Sequence, residues 1–438
     1  MAPARATASD RMATRQKLIA AVSISALAVQ TAGYAFQVLD PDNGGDSGAE
    51  DDSDAFGAWS NAMWTASAML LVSGAEPLLR RGVTYAVGPE RYSFARIERE
   101  FGSTASCKSI FRFELVHLRL LYHELRFPPI IRTHNATATG EEAFLYMLRR
   151  LSYPATQSRL AWESGRSPAA QSELFERAIT HVYEEFAHLR DNRSLECWGP
   201  HFEHFAAVIK AGGRKGPAPL NNCVGYVDGS NQKMDKPKIG QHVLYNGHKR
   251  CHVVKWQGIM LPNGIMPMPF GPCHGRNHDA HMLHLSRLPR IMRRICRRLG
   301  TVYSLYGDPA YPQSQYIAGP FRHTRLNDAE ALFNVRMSST RISNEWGFGK
   351  ILNNWAYLDF RKGMKPYLND IQKYWPVAQI LTNCHTCLYG SQVTEYFNCS
   401  PPDMSDYLNN TVWKKTSGGL PHEGVKIESN SAGRARFL

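Results

Sequence analysis

Apolar positions in the first half of the chain recur at the spacing of a helix face. Steps of three and four residues predict one such helix, which ends before Pro128 and Pro129. Further helical patterns cover 141–151, about 155–164, and 168–189. The apolar positions of the first face are Phe111, Leu115, Leu118, Leu121, Tyr122 and Leu125. We therefore predict an all-helical region before about residue 215.

The last two of these helices have the pattern of a helix-turn-helix. Gly165 separates them, and Ser167 with Pro168 provides an N-cap and a first-turn proline. A short helix, a glycine turn and a longer helix are typical of this motif. In that interpretation the second helix enters the major groove, with Gln171 and Ser172 near the bases. An ordinary helical bundle shows the same pattern, so both interpretations stay open here.

From residue 223 the pattern changes from helical periods to strands. Two β-rich segments flank Leu-Pro-Asn-Gly, which predicts a hairpin. Strands combined with helices in this order predict an α/β layer arrangement. The predicted strands cover 223–228, 250–260, 265–270 and 302–306, and the predicted helices cover 279–299 and 328 to about 357.

Composition places the chain among globular proteins. It has 438 residues, of which 43% are hydrophobic and 20% are charged, which excludes a polytopic membrane protein, a collagen-like chain and a wholly disordered one. Basic residues before an apolar run at 18–29 resemble a targeting signal, but the run is short and rich in alanine and serine, so we expect a flexible leader or a mispredicted start. Residues 39–54 are acidic and contain glycine, which predicts a disordered linker.

The charge balance favours a polyanionic partner. The formal net charge is +13, and such an excess attracts nucleic acid or anionic lipid, although many basic proteins bind neither. Nine cysteines are spread along the chain. An odd, scattered set is poor evidence for a disulfide scaffold and is typical of a reducing compartment.

Three carboxylates have positions that suggest chemistry. Asp228 and Asp308 each end a predicted strand, and Glu345 lies on the last long helix. Neighbouring strands can bring the two aspartates together, and converging carboxylates require cations such as Mg²⁺ or Mn²⁺, two of which support phosphodiester chemistry. The alternatives are turn chemistry at Asp-Gly and Asp-Pro, and a solvated Glu345 paired with Arg341.

Arginines recur along the helix predicted at 279–299. A stripe of this kind can neutralise DNA phosphates, or it can simply be a solvated face. Lys249, Arg250, Lys255 and Lys350 could also line a DNA path. The stripe contains Arg287, Arg290, Arg293, Arg294, Arg297 and Arg298.

Zinc is a weaker prediction. Cys384 and Cys387 form one CxxC pair, which is half of a structural zinc site, and no second clear pair follows. Histidines at 274, 278, 281 and 284 cluster beside Cys273 but share only part of a helix face. We therefore do not expect structural zinc.

Five segments occur in an order that resembles a known family. They are VGYVDGS, YNGHKRCHVVKWQGIMLPNG, GPCHGRNHDAHML, LYGDPAYP and SSTRISNEWGFGK. Together they resemble the DDE endonuclease domain of Harbinger-type (PIF/Harbinger) transposases over about 223–361, with weaker similarity at about 111–190 and near EYFNCSPPDMSDYL.

The resemblance implies a fold, a reaction and a set of residues. The expected fold is α/β, with a ribonuclease H-like domain of a mixed sheet flanked by helices, preceded by an all-helical helix-turn-helix domain. The reaction would be metal-dependent cutting of element ends and joining of their 3′-hydroxyls to target DNA. The triad would be Asp228, Asp308 and Glu345, with Arg341 orienting Glu345 or contacting phosphate. Asp279 matches a further aspartate of the family, or it caps a helix.

The resemblance also implies an organisation and partners. We predict a leader and linker at 1–58, a helical DNA-binding domain at 59–215, the nuclease domain at 216–400 and a tail at 401–438. The partners would be double-stranded DNA, further copies of the chain on that DNA, and a Myb-like accessory protein, without a membrane. The implied location is the nucleus. Two alternatives are a domesticated transposase that only binds or regulates DNA, and a helical scaffold with an unrelated hydrolase.

Overall fold

The computed structural model describes residues 87–102, 104–212, 216–366, 368–412, 427–429 and 435–437. The predictions of a leader and an acidic linker within 1–58 lie outside the described residues. Within the described ranges, no helix combines the length and the apolar character needed to cross a bilayer.

The first half of the described chain is mainly helical, as its hydrophobic pattern predicts. One antiparallel two-stranded ribbon interrupts the helices. The chain reverses direction after Thr133, whose N–H donates to the Ala136 carbonyl at 2.8 Å. The region is therefore not all-helical. Its elements are α1 (Phe94–Phe101), α2 (Thr104–Phe111), α3 (Leu115–Glu124), β1 (Ile130–Arg132), β2 (Thr137–Thr139), α4 (Gly140–Ser152), α5 (Gln157–Ser164), α6 (Pro168–Glu185), α7 (Arg193–Glu196) and α8 (Phe202–Ala211).

The pair α5 and α6 has the predicted local structure. Gly165 ends α5 with a φ of 65°, in the left-handed region that favours glycine. The Ser167 hydroxyl caps α6 by accepting from the Ala170 N–H, and Pro168 occupies the first turn. The helix ends at Glu185, before the predicted 189, and a 3₁₀ turn at Ala187–Leu189 follows.

The second half contains a six-stranded mixed sheet. The strand order is β4-β5-β3-β7-β8, and β6 also pairs with β5. Strand β3 is antiparallel to β5 and parallel to β7, which is parallel to β8. A short helix, α9 (Gln241–Leu244), precedes β4. The strands are β3 (Cys223–Lys233), β4 (Tyr245–Asn246), β5 (Cys251–Met260), β6 (Phe270–His274), β7 (Ser304–Gly307) and β8 (Ile317–Ala318).

Helices flank this sheet. The longest one, α12, begins with a capping box in which the Asn327 and Glu330 side chains and backbone N–H groups bond reciprocally. It packs against β3 and β5, and α8 also packs against β3. The later elements are α10 (Asp279–Leu285), α11 (Leu288–Leu299), α12 (Asp328–Asn354), α13 (Ile371–Tyr389), α14 (Gln392–Phe397), α15 (Met404–Leu408), β9 (Ile427–Ser429) and β10 (Ala435–Phe437). This mixed α/β arrangement is compatible with a DDE nuclease domain.

Three predicted elements differ in the structure. The first strand, predicted to end at Asp228, continues to Lys233. The second hairpin strand, predicted at 265–270, forms only at Phe270–His274, because the Met266 and Met268 N–H groups bond instead to the Asn383 and Ser194 side chains. The helix predicted at 279–299 is two helices, which break at Arg287 with a φ of 50°. The turn predicted at Leu-Pro-Asn-Gly after β5 is present, because the Gly264 N–H donates to the Leu261 carbonyl.

One continuous apolar core joins the two halves of the described chain. Phe175 of α6 packs its ring 5.5 Å from that of Tyr374 in α13. Trp256 of β5 is fully buried and stacks on Trp375, so it is a core residue. The core also includes Tyr407, whose hydroxyl accepts from the Asn383 amide at 2.9 Å. Residues up to 412 thus pack into this core, beyond the expected start of a tail at 401.

Candidate active site

Asp228 and Asp308 lie side by side at one edge of the central strand pair. Val227 and Gly307 are partners in the parallel pairing of β3 and β7, so the next residue of each chain segment is an aspartate. Strand β3 continues past Asp228, which also pairs with Gly258 of β5. Asp308 lies just after β7, and its Oδ1 accepts from the Ala310 N–H at 2.9 Å. The sequence predicts this adjacency correctly.

The environment of Asp228 is partly buried and strongly charged. Its Oδ1 accepts from the Gly229 N–H and its Oδ2 from Arg341 Nη1, both at 2.8 Å. Burial raises the pKa of Asp228 to about 6, while those two donors lower it. The charges of Asp308 and Asp279 raise it further. Three carboxylates therefore act on one another at this edge of the sheet.

Glu345 approaches the same edge from α12 but points into solvent. Its side chain is 64% exposed, and its Oε1 lies 3.7 Å from Arg341 Nη2, one helical turn earlier. The Arg341 guanidinium thus lies between Asp228 and Glu345. The structure shows the alternative that the sequence left open, a solvated Glu345 paired with Arg341.

Asp279 lies beside Gly229, the residue after Asp228. A Cβ atom built on Gly229 would be 3.0 Å from Asp279 Oδ1, so a larger residue here would push the Asp279 carboxylate aside. The same oxygen accepts from the Lys255 ammonium at 3.1 Å. His278, not Asp279, occupies the N-cap position of α10. The alternative of a helix-capping aspartate is therefore wrong.

Tyr311 is a functional candidate that the sequence analysis missed. Its side chain is fully buried, and its hydroxyl has no hydrogen-bond partner among the described residues. Burial and the charges of Asp279, Asp228 and Asp308 raise the pKa of Tyr311 well above its usual value. Its position three residues after Asp308, within LYGDPAYP, is the signal that could have identified it.

The donor chemistry of this edge suits a hard divalent cation. Carboxylate oxygens are among the ligands that Mg²⁺ and Mn²⁺ prefer. In the part of the chain that the structure describes, however, no three His, Cys, Asp or Glu side chains are close enough to form a ready-made metal site. Arg341 pairs with Asp228 and Lys255 pairs with Asp279, so these side chains provide the positive charge at this edge. Glu345 is turned outward into solvent.

The arginine stripe is exposed on α11. Leu288, Ile291, Met292 and Ile295 bury the opposite face of this helix. Arg294 and Arg298 form ion pairs of 3.3 and 3.0 Å with Glu196, whose side chain is buried. Those two cations are thereby partly neutralised. The arginines on the exposed face are Arg290, Arg293, Arg294, Arg297 and Arg298.

Lys350 is placed differently from the arginines. Its ammonium donates to the Thr386 hydroxyl at 2.8 Å and to the Gly390 carbonyl at 2.6 Å, at the end of α13. Burial lowers the pKa of Lys350 to about 8. The lysine therefore fixes α12 to α13, which corrects the expectation that it contacts DNA.

Gln171 and Ser172 occupy the start of α6. Gln171 is 1% exposed; it accepts from the Tyr146 hydroxyl and donates to Ser164 and the Arg166 carbonyl. A side chain so enclosed cannot contact a base, which corrects the prediction for Gln171. Ser172 is half-buried. Gln171 therefore cannot be a base-contacting residue of α6, as the helix-turn-helix interpretation requires.

Cys384 and Cys387 lie within α13 rather than on a metal-binding loop. Burial raises the pKa of the Cys384 thiol well above its usual value, which favours the neutral form over the thiolate that binds zinc. All nine cysteines fall in the described part of the chain, and all are free thiols.

Comparison with curated proteins finds no match, and comparison with solved structures also finds none. A family model does match part of the chain. The matched residues, 227–383, contain Asp228, Asp279, Asp308 and Glu345 and end within α13. Residues 227–383 are therefore similar to a DDE superfamily endonuclease, which suggests a transposase-like nuclease acting on DNA.

Proposed function

We propose that this chain is a Harbinger-type DDE transposase, which cuts DNA at transposon ends and joins the 3′-hydroxyls to target DNA. The observation that supports it most is that Asp228 and Asp308 directly follow the paired residues Val227 and Gly307 of neighbouring strands, within the segment similar to DDE endonucleases. The ordered motifs around these residues favour the Harbinger type.

In this proposal Asp228, Asp308 and Glu345 hold Mg²⁺ or Mn²⁺, as two ions. Such ions activate a water or hydroxyl nucleophile and stabilise the leaving oxygen of a phosphodiester. Arg341 neutralises Asp228 in the structure. Because its guanidinium carries several donors, Arg341 is also suited to contact a DNA phosphate at this edge.

The DNA would lie along basic surface. The exposed arginines of α11 and the net charge of +13 support a duplex-binding role. Arg290, Arg293 and Arg297 are the best phosphate contacts, since Glu196 partly neutralises Arg294. We further propose that several copies act together on DNA in the nucleus with a Myb-like accessory protein. This part of the proposal is based on the motif resemblance alone.

The test is cleavage of DNA that carries the terminal inverted repeats of the element, with Mg²⁺ and with or without the accessory protein. Asp308→Asn should lose cleavage but retain DNA binding, because it removes a metal ligand and leaves the basic surface intact. Asp359→Asn is the matched control, since Asp359 pairs with Lys233 at the surface. Full cleavage by Asp308→Asn would remove the metal-ligand assignment. Binding without cleavage by the unmodified protein would favour the domesticated, regulatory alternative.

A further inference from the structure

An uncharged stripe runs along the outer face of α12. This stripe, the α12 seam, consists of Leu332, Val335, Ser339, Ile342 and Trp346, which follow one another at steps of three and four residues. Such spacing is that of the contact positions in a coiled coil. Leu332, Val335 and Ile342 are 47%, 45% and 37% exposed. The opposite face of the helix is buried in the core through Met337, Thr340, Asn344, Gly347, Phe348 and Ile351.

A groove of about 520 Å³ lies between this seam and α14. Tyr396 of α14 forms its wall, because its ring packs 5.3 Å from that of Trp346 and its hydroxyl donates to the Ser339 carbonyl at 3.2 Å. Every residue that lines the groove is uncharged, as in the core of a protein interface. The lining residues are Asn334, Val335, Ser338, Ser339, Ile342, Trp346 and Tyr396.

The seam is symmetric about Ser339. Val335 and Ile342 lie four residues before it and three residues after it, and the outer pair of the seam lies seven residues to either side. A two-fold axis at this serine, with α12 antiparallel to its copy, therefore places Val335 of one copy against Ile342 of the other. It likewise places Leu332 against Trp346. A small central side chain lets the helices approach closely, and such self-complementarity is what a two-fold dimer requires.

The charges beside the seam are complementary under the same two-fold axis. Glu345, which is 64% exposed, follows Asn334 by eleven residues, or about three turns, so both lie on the same side of α12. The Asn334 amide bonds to the Phe321 N–H and carbonyl at 2.9 and 3.1 Å, which holds the exposed Arg322 nearby. Arg322 donates to the Tyr311 carbonyl and keeps further donors. Since Asn334 and Glu345 are equally far from the axis, Glu345 of one copy faces Arg322 of the other.

We propose that two copies of this chain associate through the α12 seam, antiparallel about Ser339, and that Glu345 of each copy pairs with Arg322 of the other. The outward position of Glu345 is the one that this pairing requires. Because a two-fold interface closes on itself, the product is a dimer and not a filament. The association needs no DNA and does not rest on the proposed function.

The experiment is sedimentation velocity of the full-length protein without DNA at several protein concentrations, which should show a reversible dimer. Ile342→Asp should weaken the dimer at least about thirtyfold, because it places a charge from each copy in the apolar centre. Val116→Asp is the matched control, since Val116 is an exposed apolar residue of another helix, α3, and should change the association by less than about twofold. Val335→Asp repeats the test if Ile342→Asp does not fold.

A charge exchange tests the register of the two helices. Arg322→Glu and Glu345→Arg should each weaken the dimer by about three- to tenfold, because like charges then face each other at two symmetric places. The double variant restores opposite charges and should recover most of the affinity. A purely structural role of either residue predicts no such recovery.

A monomeric unmodified protein overturns the proposal and assigns the seam to a different chain, such as a helix of an accessory protein. A dimer that persists unchanged in folded Ile342→Asp or Val335→Asp also overturns it. A double charge variant as weak as the single ones overturns the antiparallel pairing. Since the experiment contains neither DNA nor metal, failure of the cleavage assay does not affect it, and the two proposals fail separately.

Discussion

The Arg341 guanidinium donates to the Asp228 carboxylate at 2.8 Å, although the two residues are far apart in the sequence. This pair joins the first strand of the sheet to the long helix α12. Arg341 also lies 3.7 Å from Glu345. The arginine therefore supplies the positive charge that the two carboxylates require when no metal ion is bound. It lies between Asp228 and Glu345, whose side chain is 64% exposed.

Asp228→Asn should stabilise the folded protein at neutral pH, by roughly 1–3 kcal/mol without divalent cations. Burial raises the folded-state pKa of Asp228 from 3.8 to about 6, so the folded protein binds this proton more tightly than the unfolded chain. The resulting stability is complete below the unfolded-state value and is lost as the pH rises through about 6. Urea unfolding at pH 5.0 and 7.5 measures it. The prediction fails if the advantage of the variant is equal at both pH values or larger at pH 5.0.

Arg293→Ala and Lys350→Met should affect DNA binding differently. Arg293 is exposed on α11, so its loss should lower the slope of log affinity against log salt by about one. Lys350 is occupied by Thr386 and Gly390, so its replacement should leave that slope unchanged. Fluorescence anisotropy with a labelled duplex at several salt concentrations measures both. Equal slopes for the two variants would contradict the assignment.

Gln171→Ala should lower the free energy of unfolding by about 1–3 kcal/mol, because buried hydrogen-bonding groups lose their partner. Those groups are the Tyr146 hydroxyl, the Ser164 hydroxyl and the Arg166 carbonyl. Ser172→Ala is the neighbouring control and should change stability by less than about 0.5 kcal/mol. Denaturant unfolding gives both values. Normal stability of Gln171→Ala together with a specific loss of base recognition would restore the original prediction.

Arg166→Met should destabilise the fold by about 3–5 kcal/mol, because it leaves the Glu142 carboxylate buried without its partner. Arg166 donates to both Glu142 oxygens, at 2.6 and 2.8 Å, and to the Thr137 carbonyl at 2.8 Å. These bonds fix the turn between α5 and α6 to the start of α4. Adding Glu142→Gln should recover part of the loss. A double-mutant cycle from unfolding measurements will measure this coupling, which is contradicted if the two effects simply add.

The hydrophobic pattern by itself determined most of the secondary structure. Periods of 3.6 and 2 identified α5, α6, β5 and α12, and capping residues placed the start of α6 correctly. The adjacency of Asp228 and Asp308 was also predictable. Both aspartates follow apolar runs that must pair in a buried sheet, and parallel pairing places the ends of these two runs together. The family model of DDE endonucleases matches residues 227–383, the segment that contains both aspartates.

Only the tertiary structure decided which polar side chains face the site. The Asp279 carboxylate lies next to Gly229, and the Gln171 side chain is buried. The Lys350 ammonium binds the end of α13. Each of these placements depends on contacts with residues distant in the sequence. Likewise, residues 266 and 268 leave the expected strand because distant side chains offer their N–H groups better partners. Local periodicity carries no information about such partners, because burial and hydrogen bonding depend on how whole elements pack against one another.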